Sequence, residues 1–331
     1  MQNNSTLKKL SEMLGISIST VSRALKDHPD ISEKTKNRVK ELARQIEYEP
    51  NAYAIQLRTN QSRVLGILIP SVTNYFYDSF ISAVEEEARM NDYSLLIMQS
   101  AENALTEESN INLLRRNRIA GLFASLTIET TDIKPFLKLN DANIPVIFID
   151  RVPDFEACNK ICLADKDAAR MAAEVLIEKK KKNILGLFGH LNLTISKKRL
   201  ESFEETFKQK APDTKLDIAI QLDTEEAKSE TLKRLNAKKR PDAIFCMGDL
   251  TLIGAMQAIY EKGLRVPEDV GIISISNGFF PALYSPKITY VETSGYKLGK
   301  LAFSRMMACL AGSTFVRELT VESVLVEGGS I

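Results

Sequence analysis

The feature that most constrains this chain is a change of hydrophobic period near residue 61. Before it, apolar residues recur at helical spacing in three short runs. After it, continuous apolar runs of strand length alternate with helical patterns. Helix-only and strand-helix grammars close different layer architectures, so the chain reads as two domains: a small all-α piece followed by a larger α/β one.

In the first piece, Thr6 is placed to cap a helix carrying Leu7, Leu10 and Leu14, and Gly15 ends it. Ser17 caps a second helix with Val21, Ala24 and Leu25 on one face. His28, Pro29 and Asp30 break it, and Ser32 caps a third helix carrying Val39, Leu42, Ala43 and Ile46. Two short helices joined by a tight Gly-containing turn make a helix-turn-helix, whose second helix reads the major groove. Its outward positions are Ile18, Ser19, Ser22 and Arg23. Arg23 suits a bidentate contact to guanine. Ser17, Thr20 and Ser22 suit phosphate oxygens. On pattern alone, a plain three-helix bundle is an equal alternative. The charge split leans toward nucleic acid: residues 1–60 hold ten Lys/Arg against seven Asp/Glu, whereas the whole chain is only +1.

From residue 64, strand-like runs fall at 64–69, 94–98, 121–124, 146–149, 184–188, 243–247 and 270–275, with helical patterns at 80–90, 168–178 and 252–262 between them. Strands alternating with helices give a parallel, doubly wound sheet covered on both faces. About 270 residues is large for one such sheet, so two similar lobes are expected. Another strand-like run lies at 321–327. The N-terminus has no apolar run behind its charges and no stretch is long enough to span a bilayer, so a cytoplasmic chain with no membrane role is expected. Four scattered cysteines read as free thiols. Nucleophile-elbow, P-loop, dinucleotide and zinc-binding spacings are absent. The expectation is therefore no enzyme, no cofactor and no metal. Lys179 to Lys182 reads as a solvated loop.

Three runs carry a resemblance: T-V-S-R (Thr20 to Arg23), I-S-x-x-T (Ile31 to Thr35) and Y-x-P-N-x-x-A (Tyr48 to Ala54). They resemble the headpiece of the lactose-repressor/galactose-repressor family of bacterial transcription regulators. The resemblance continues through NYFYDSFISAVEEEA (from Asn74), VIFIDR (from Val146), KKRLESF (from Lys197) and the run from Pro241 to Asn277. It implies a helix-turn-helix headpiece (1–49), a hinge (50–60) and a periplasmic-binding-protein-like sensor domain of two doubly wound lobes (61–331). The lobes would comprise 61–162 with 292–322, and 163–291 with 323–331. It implies base reading by Ile18, Ser19 and Arg23, and backbone contacts by Ser17, Thr20, Ser22, Tyr48 and Asn51. Leu57 would be a minor-groove wedge. An effector, a sugar or related metabolite, would meet Phe76, Tyr77, Asp150, Arg151, Arg199, Asp249 and Ser276. Ordinary core positions are the alternative for Phe76 and Tyr77, a structural ion pair for Asp150 and Arg151, and a helix cap for Asp249.

The chain also departs from the family's pattern. Ser276 stands where the family has an acid, Gly248 where it has Asn, Tyr75 where it has Pro, and Ile55 where a basic residue is common. These departures imply a less acidic cleft. The function implied is an effector-controlled, sequence-specific repressor acting as a homodimer on palindromic double-stranded operator DNA. A small-molecule binding protein without operator function is the alternative.

Overall fold

The computed structural model describes residues 7–48, 62–220 and 223–331, and the chain divides into two compact units between Ser62 and Arg63. In the first unit, α1 (Leu7–Leu14), α2 (Ile18–Leu25) and α3 (Glu33–Gln45) close on Leu10, Val21, Ala24, Val39 and Ala43. These positions share one face at helical spacing. Ser17 caps α2 by accepting from the Thr20 N–H at 3.1 Å, and Ser32 caps α3 by accepting from Thr35 at 3.3 Å. Each cap satisfies a first-turn donor that has no intrahelical partner. Gly15 lies at φ +66°, where a side chain would be strained. Thr6 lies outside the described residues.

The second unit holds two six-stranded sheets. The chain runs β1 (Val64–Ile69), α4 (Tyr75–Met90), β2 (Ser94–Gln99), α5 (Ala104–Arg116), β3 (Gly121–Ala124), α6 (Lys134–Asp141), β4 (Val146–Ile149) and β5 (Asn159–Leu163). It crosses into α7 (Asp165–Glu178), β6 (Asn183–Leu187), α8 (Thr194–Lys210), β7 (Lys215–Ala219), α9 (Thr224–Leu235), β8 (Ala243–Cys246), α10 (Asp249–Glu261), β9 (Gly271–Ser276), a 3-10 turn (Phe280–Leu283) and β10 (Thr289–Glu292). It then returns through α11 (Gly295–Leu310) and ends in β11 (Glu318–Val321) and β12 (Val324–Val326). The first sheet is ordered β11-β5-β4-β3-β1-β2 and is wholly parallel. The second is ordered β12-β10-β9-β8-β6-β7 and is parallel except for antiparallel β12.

Alternate residues of each central strand enter different cores, as the pleat requires. Leu65, Ile67 and Ile69 pack with α4 and α11, while Leu68 packs with α5 and α6. Ile184 and Phe245 pack with α7 and α8, while Leu185 and Ile244 pack with α9 and α10. Gly299 lets α11 approach α4 closely: a Cβ there would lie 2.8 Å from both the Phe80 carbonyl oxygen and the Ala83 methyl.

Three helices begin earlier than their apolar patterns, with first turns that lie close to the strand ends. α4 starts at Tyr75 behind Asn74, whose side chain accepts from Phe76 N–H at 3.0 Å, α7 starts at Asp165, and α10 starts at Asp249. The strand-like run at 321–327 is two strands in different sheets, with Glu322 and Ser323 carrying the chain across. The four cysteines are free, and Lys179 to Lys182 forms a turn after α7.

Candidate functional site

On the first unit, α2 leaves Ser17, Ile18, Ser19 and Arg23 exposed, with Ile18 47% exposed despite being apolar. Thr20 and Ser22 are half-buried beside them. The Ser17 hydroxyl is tied to those of Ser19 (2.7 Å) and Thr20 (2.8 Å), which fixes the entry of α2. This is a rigid helix N-terminus carrying small hydroxyls, one apolar side chain and one arginine. Tyr48 packs half-buried against the headpiece core. Lys36 is buried and paired with Glu33 at 2.7 Å, whereas Lys34 on the same helix is exposed. Asn51, Ile55 and Leu57 lie outside the described residues.

In the second unit, a cleft of about 490 Å³ opens where the carboxyl ends of the strands face one another, the usual ligand position in open α/β sheets. All seven effector residues expected from the sequence line it: Phe76, Tyr77, Asp150, Arg151, Arg199, Asp249 and Ser276. They do different work. Tyr77 is buried, and its hydroxyl lies 2.7 Å from Ser125 Oγ and donates to Asp150 Oδ2 at 2.8 Å. Burial, reinforced by the Asp150 charge, pushes the Tyr77 phenol well above its ordinary range. Phe76 is half-buried and meets Tyr77 edge-on. Tyr77 thus belongs to the core and positions Asp150, leaving Phe76 as the ring for the cleft. Asp150 ends β4 at φ +57°, a left-handed conformation that Asp tolerates better than most residues and that re-aims it out of the sheet.

Asp150 and Arg151 are not an ion pair. Arg151 Nη1 pairs with Glu102 Oε1 at 2.6 Å, and Glu102 Oε2 accepts from the Ile128 N–H at 3.0 Å. Arg199 is not a free fork either. Its Nε and Nη2 both reach Asp165 Oδ1 at 2.8 Å, and Nη1 donates to the Met247 carbonyl at 2.7 Å. Asp249 is the first residue of α10 behind Gly248, rather than its cap. Its Oδ1 accepts from Ser276 Oγ at 2.5 Å, and burial pushes its carboxyl up to about 6 against the hydrogen bonds from Ser276 and Asn277. The acid missing from the end of β9 is therefore supplied from α10. The cleft is not depleted of acid, as Ser276 alone implies.

Sequence reasoning passed over several cleft residues. Glu102 follows β2 and Asp165 opens α7, and a strand-end acid was a usable signal for both. Ser196 on α8 and His190 after β6 carry no signal in the sequence. Tyr75 stacks on Phe279 with ring centroids 3.9 Å apart and 18° between planes, and Phe280 meets both rings. This aromatic cluster joins the two lobes at the edge of the cleft.

Comparison with known proteins agrees with both halves. The bacterial regulatory protein lacI-family profile matches residues 6–51, and the periplasmic-binding-protein-like domain profile matches 173–331. The HTH-type transcriptional repressor PurR of Vibrio atlanticus (strain LGP32) is 26% identical over 304 residues, 91% of each chain. PurR of Actinobacillus pleuropneumoniae serotype 3 (strain JL03) is 28% identical over 304 residues, 91% of this chain and 90% of its own. The fold is similar to that of the lac repressor dimer bound to operator and the anti-inducer ONPF, with TM-score 0.88 and 23% identity over 98% of each chain. A helix-turn-helix followed by a two-lobed α/β cleft, matched in that order along nearly the whole length, places the chain in the lacI family of bacterial regulatory proteins.

Proposed function

We propose that the chain is an effector-controlled, sequence-specific transcriptional repressor that binds a palindromic operator as a homodimer in the cytoplasm. The observation that carries this reading is the exposed, capped N-terminus of α2, with Ile18, Ser19 and Arg23 outward, in one chain with a cleft of about 490 Å³ that brings charged side chains onto a largely apolar lining. Ile18, Ser19 and Arg23 contact bases, and Ser17, Thr20, Ser22, Tyr48 and Asn51 contact the backbone. Leu57 enters the minor groove from a hinge at 50–60. The effector meets Phe76, Asp150, Arg151, Asp249 and Ser276, and Tyr77 and Arg199 hold that set in place. Residues 1–49 form the DNA-binding domain and 61–331 the sensor. The curated relatives are repressors, which supports a regulator rather than an enzyme.

Two-fold proteins read two-fold sites, and a single recognition helix offers little contact area. An effector acts only through its differential affinity for the lobe arrangements that do and do not favour DNA. The test selects binding sites from a randomised duplex pool with the full chain. A near-palindromic consensus bound at two chains per duplex is expected. Recovery of no preferred sequence would refute the reading.

A further inference from the structure

Charge matching in the cleft bears on the chemistry of the effector, and the inference rests on the reading of that cleft as the effector site. Both arginines at the cleft are already matched: Arg151 with Glu102, and Arg199 with Asp165. Of the remaining carboxylates at the cavity, Asp223 and Glu226 are exposed and engaged in the capping box of α9, and two others are withdrawn from water without an ion pair. Asp150, buried, is held by the Tyr77 hydroxyl, and Asp249, half-buried, by Ser276. Among the described residues neither has a cation within ion-pair distance. They stand on opposite lobes and line the same cavity. Neutral hydroxyl partners satisfy hydrogen bonds; Arg151 and Arg199 act on Asp150, and Arg199 on Asp249, only from beyond ion-pair distance, so burial still outweighs them and charge held away from water remains unfavourable.

A second observation points to a missing ligand. Ser196 Oγ is fully buried, lines the cavity, and has no hydrogen-bond partner, an unusual state for a buried hydroxyl. Its neighbours Leu193 and Ile195 give that side of the cavity an apolar wall.

We propose that the effector is a small amine-bearing cation, whose ammonium group pairs with Asp249 and Asp150 and whose carbon frame lies against Leu193 and Ile195. Ser196 Oγ accepts a further hydrogen bond from it. Phosphorylated and carboxylated metabolites are expected to bind more weakly, because they add negative charge beside two carboxylates that lack ion-pair partners.

The test uses the full-length protein. Thermal shift and calorimetry compare three matched probe sets: primary amines (glucosamine, putrescine), neutral counterparts (glucose, 1,4-butanediol) and anionic counterparts (glucose 6-phosphate, succinate). Stabilisation by amines alone is expected, with affinity falling at least about tenfold in Asp249→Asn. Without ligand, Asp249→Asn raises the melting temperature at pH 7.5, because it removes an unmatched charge. Asp150→Asn, which keeps a residue tolerant of φ +57°, provides a second variant with the same expectation. A neutral or anionic probe binding most tightly overturns the charge assignment alone. A lower melting temperature in both ligand-free variants overturns it too. No response in any class overturns the effector reading and the proposal with it.

Discussion

Removing Arg199 should cost the fold several times what a surface ion pair contributes. Its side chain is 6% exposed and that of Asp165 3%, so water screens neither charge. Arg199→Met deletes two N–H contacts to Asp165 and the hydrogen bond to the Met247 carbonyl. It also leaves the buried Asp165 carboxylate without its ion-pair partner. Breaking a buried pair from one side typically costs about 3–5 kcal/mol, mostly through the charge left behind. For a domain of this size that lowers the melting temperature by roughly 10 °C. Removing both charges is expected to be far milder: Arg199→Met with Asp165→Leu should recover most of the loss, because two charges no longer need to be desolvated. Urea unfolding followed by far-UV circular dichroism on the wild type, both single variants and the double variant completes the cycle. The comparison isolates the pair because the two residues touch and couple directly. A single-variant cost below about 1 kcal/mol would refute the reasoning, since such a value belongs to a solvated surface pair. Loss of effector binding in Arg199 variants therefore has to be read against their stability.

Three further outcomes are expected. Arg23→Ala should cost roughly 1–3 kcal/mol at one base pair of each half-site and relax its identity; equal weakening on random DNA, measured by competition gel shift, would remove the base-reading role. Leu57→Ala should weaken operator binding and leave effector affinity unchanged, since an apolar wedge acts only on unstacked bases; an unchanged footprint titration would reduce Leu57 to a packing residue. Asp249, whose folded carboxyl sits at about 6, above the ordinary aspartate value of 3.8, binds its proton more tightly folded than unfolded, so its contribution to stability falls as pH rises from about 4 through about 6 and is level above that. The stability of Asp249→Asn relative to wild type should therefore climb across that window by on the order of 2 kcal/mol, allowing for partial exposure, and a flat difference in urea unfolding from pH 4 to 7 would contradict it.

The parts legible in the sequence were those written in local periodicity. The buried stripe of α1 to α3, the Ser17 and Ser32 caps, and the long apolar strands β1, β6 and β9 each follow from neighbouring residues alone. Strands that meet partners far along the chain were harder. β7 (KLDIA) lies at a sheet edge and carries too little apolar character to stand out. β11 and β12 read as one run, because nothing local says that Val321 and Val324 join different sheets. At the cleft, residue types were visible and pairings were not. Arg199 looks like a ligand-reading fork until Asp165, 34 residues earlier, is found to occupy it. Ser276 looks like a lost acid until Asp249, 27 residues earlier, is found beside it. An acid can reach the same point in space from a helix start as from a strand end, and a single sequence does not distinguish the two.

Tyr75 has a further consequence for regulation. The Tyr75–Phe279 stack joins the lobes without a ligand, and aromatic pairs of this geometry contribute about 0.5–1.5 kcal/mol beyond area burial. Reversing a two-state population from 1:99 to 99:1 needs about 5.5 kcal/mol of differential binding. The stack alone therefore biases the lobe arrangement by roughly tenfold at most, and cannot lock it. If the cleft takes a cation as proposed, the larger lever is electrostatic, since Asp150 on one lobe and Asp249 on the other then disfavour a dry, closed cleft until their charge is matched. An effector that matches it removes a penalty of closure and adds its own contacts, and both are gained only when the lobes are together. On the effector reading proposed above, the aromatic contact biases the arrangement the free protein samples, and the two aspartates set how far a ligand moves it.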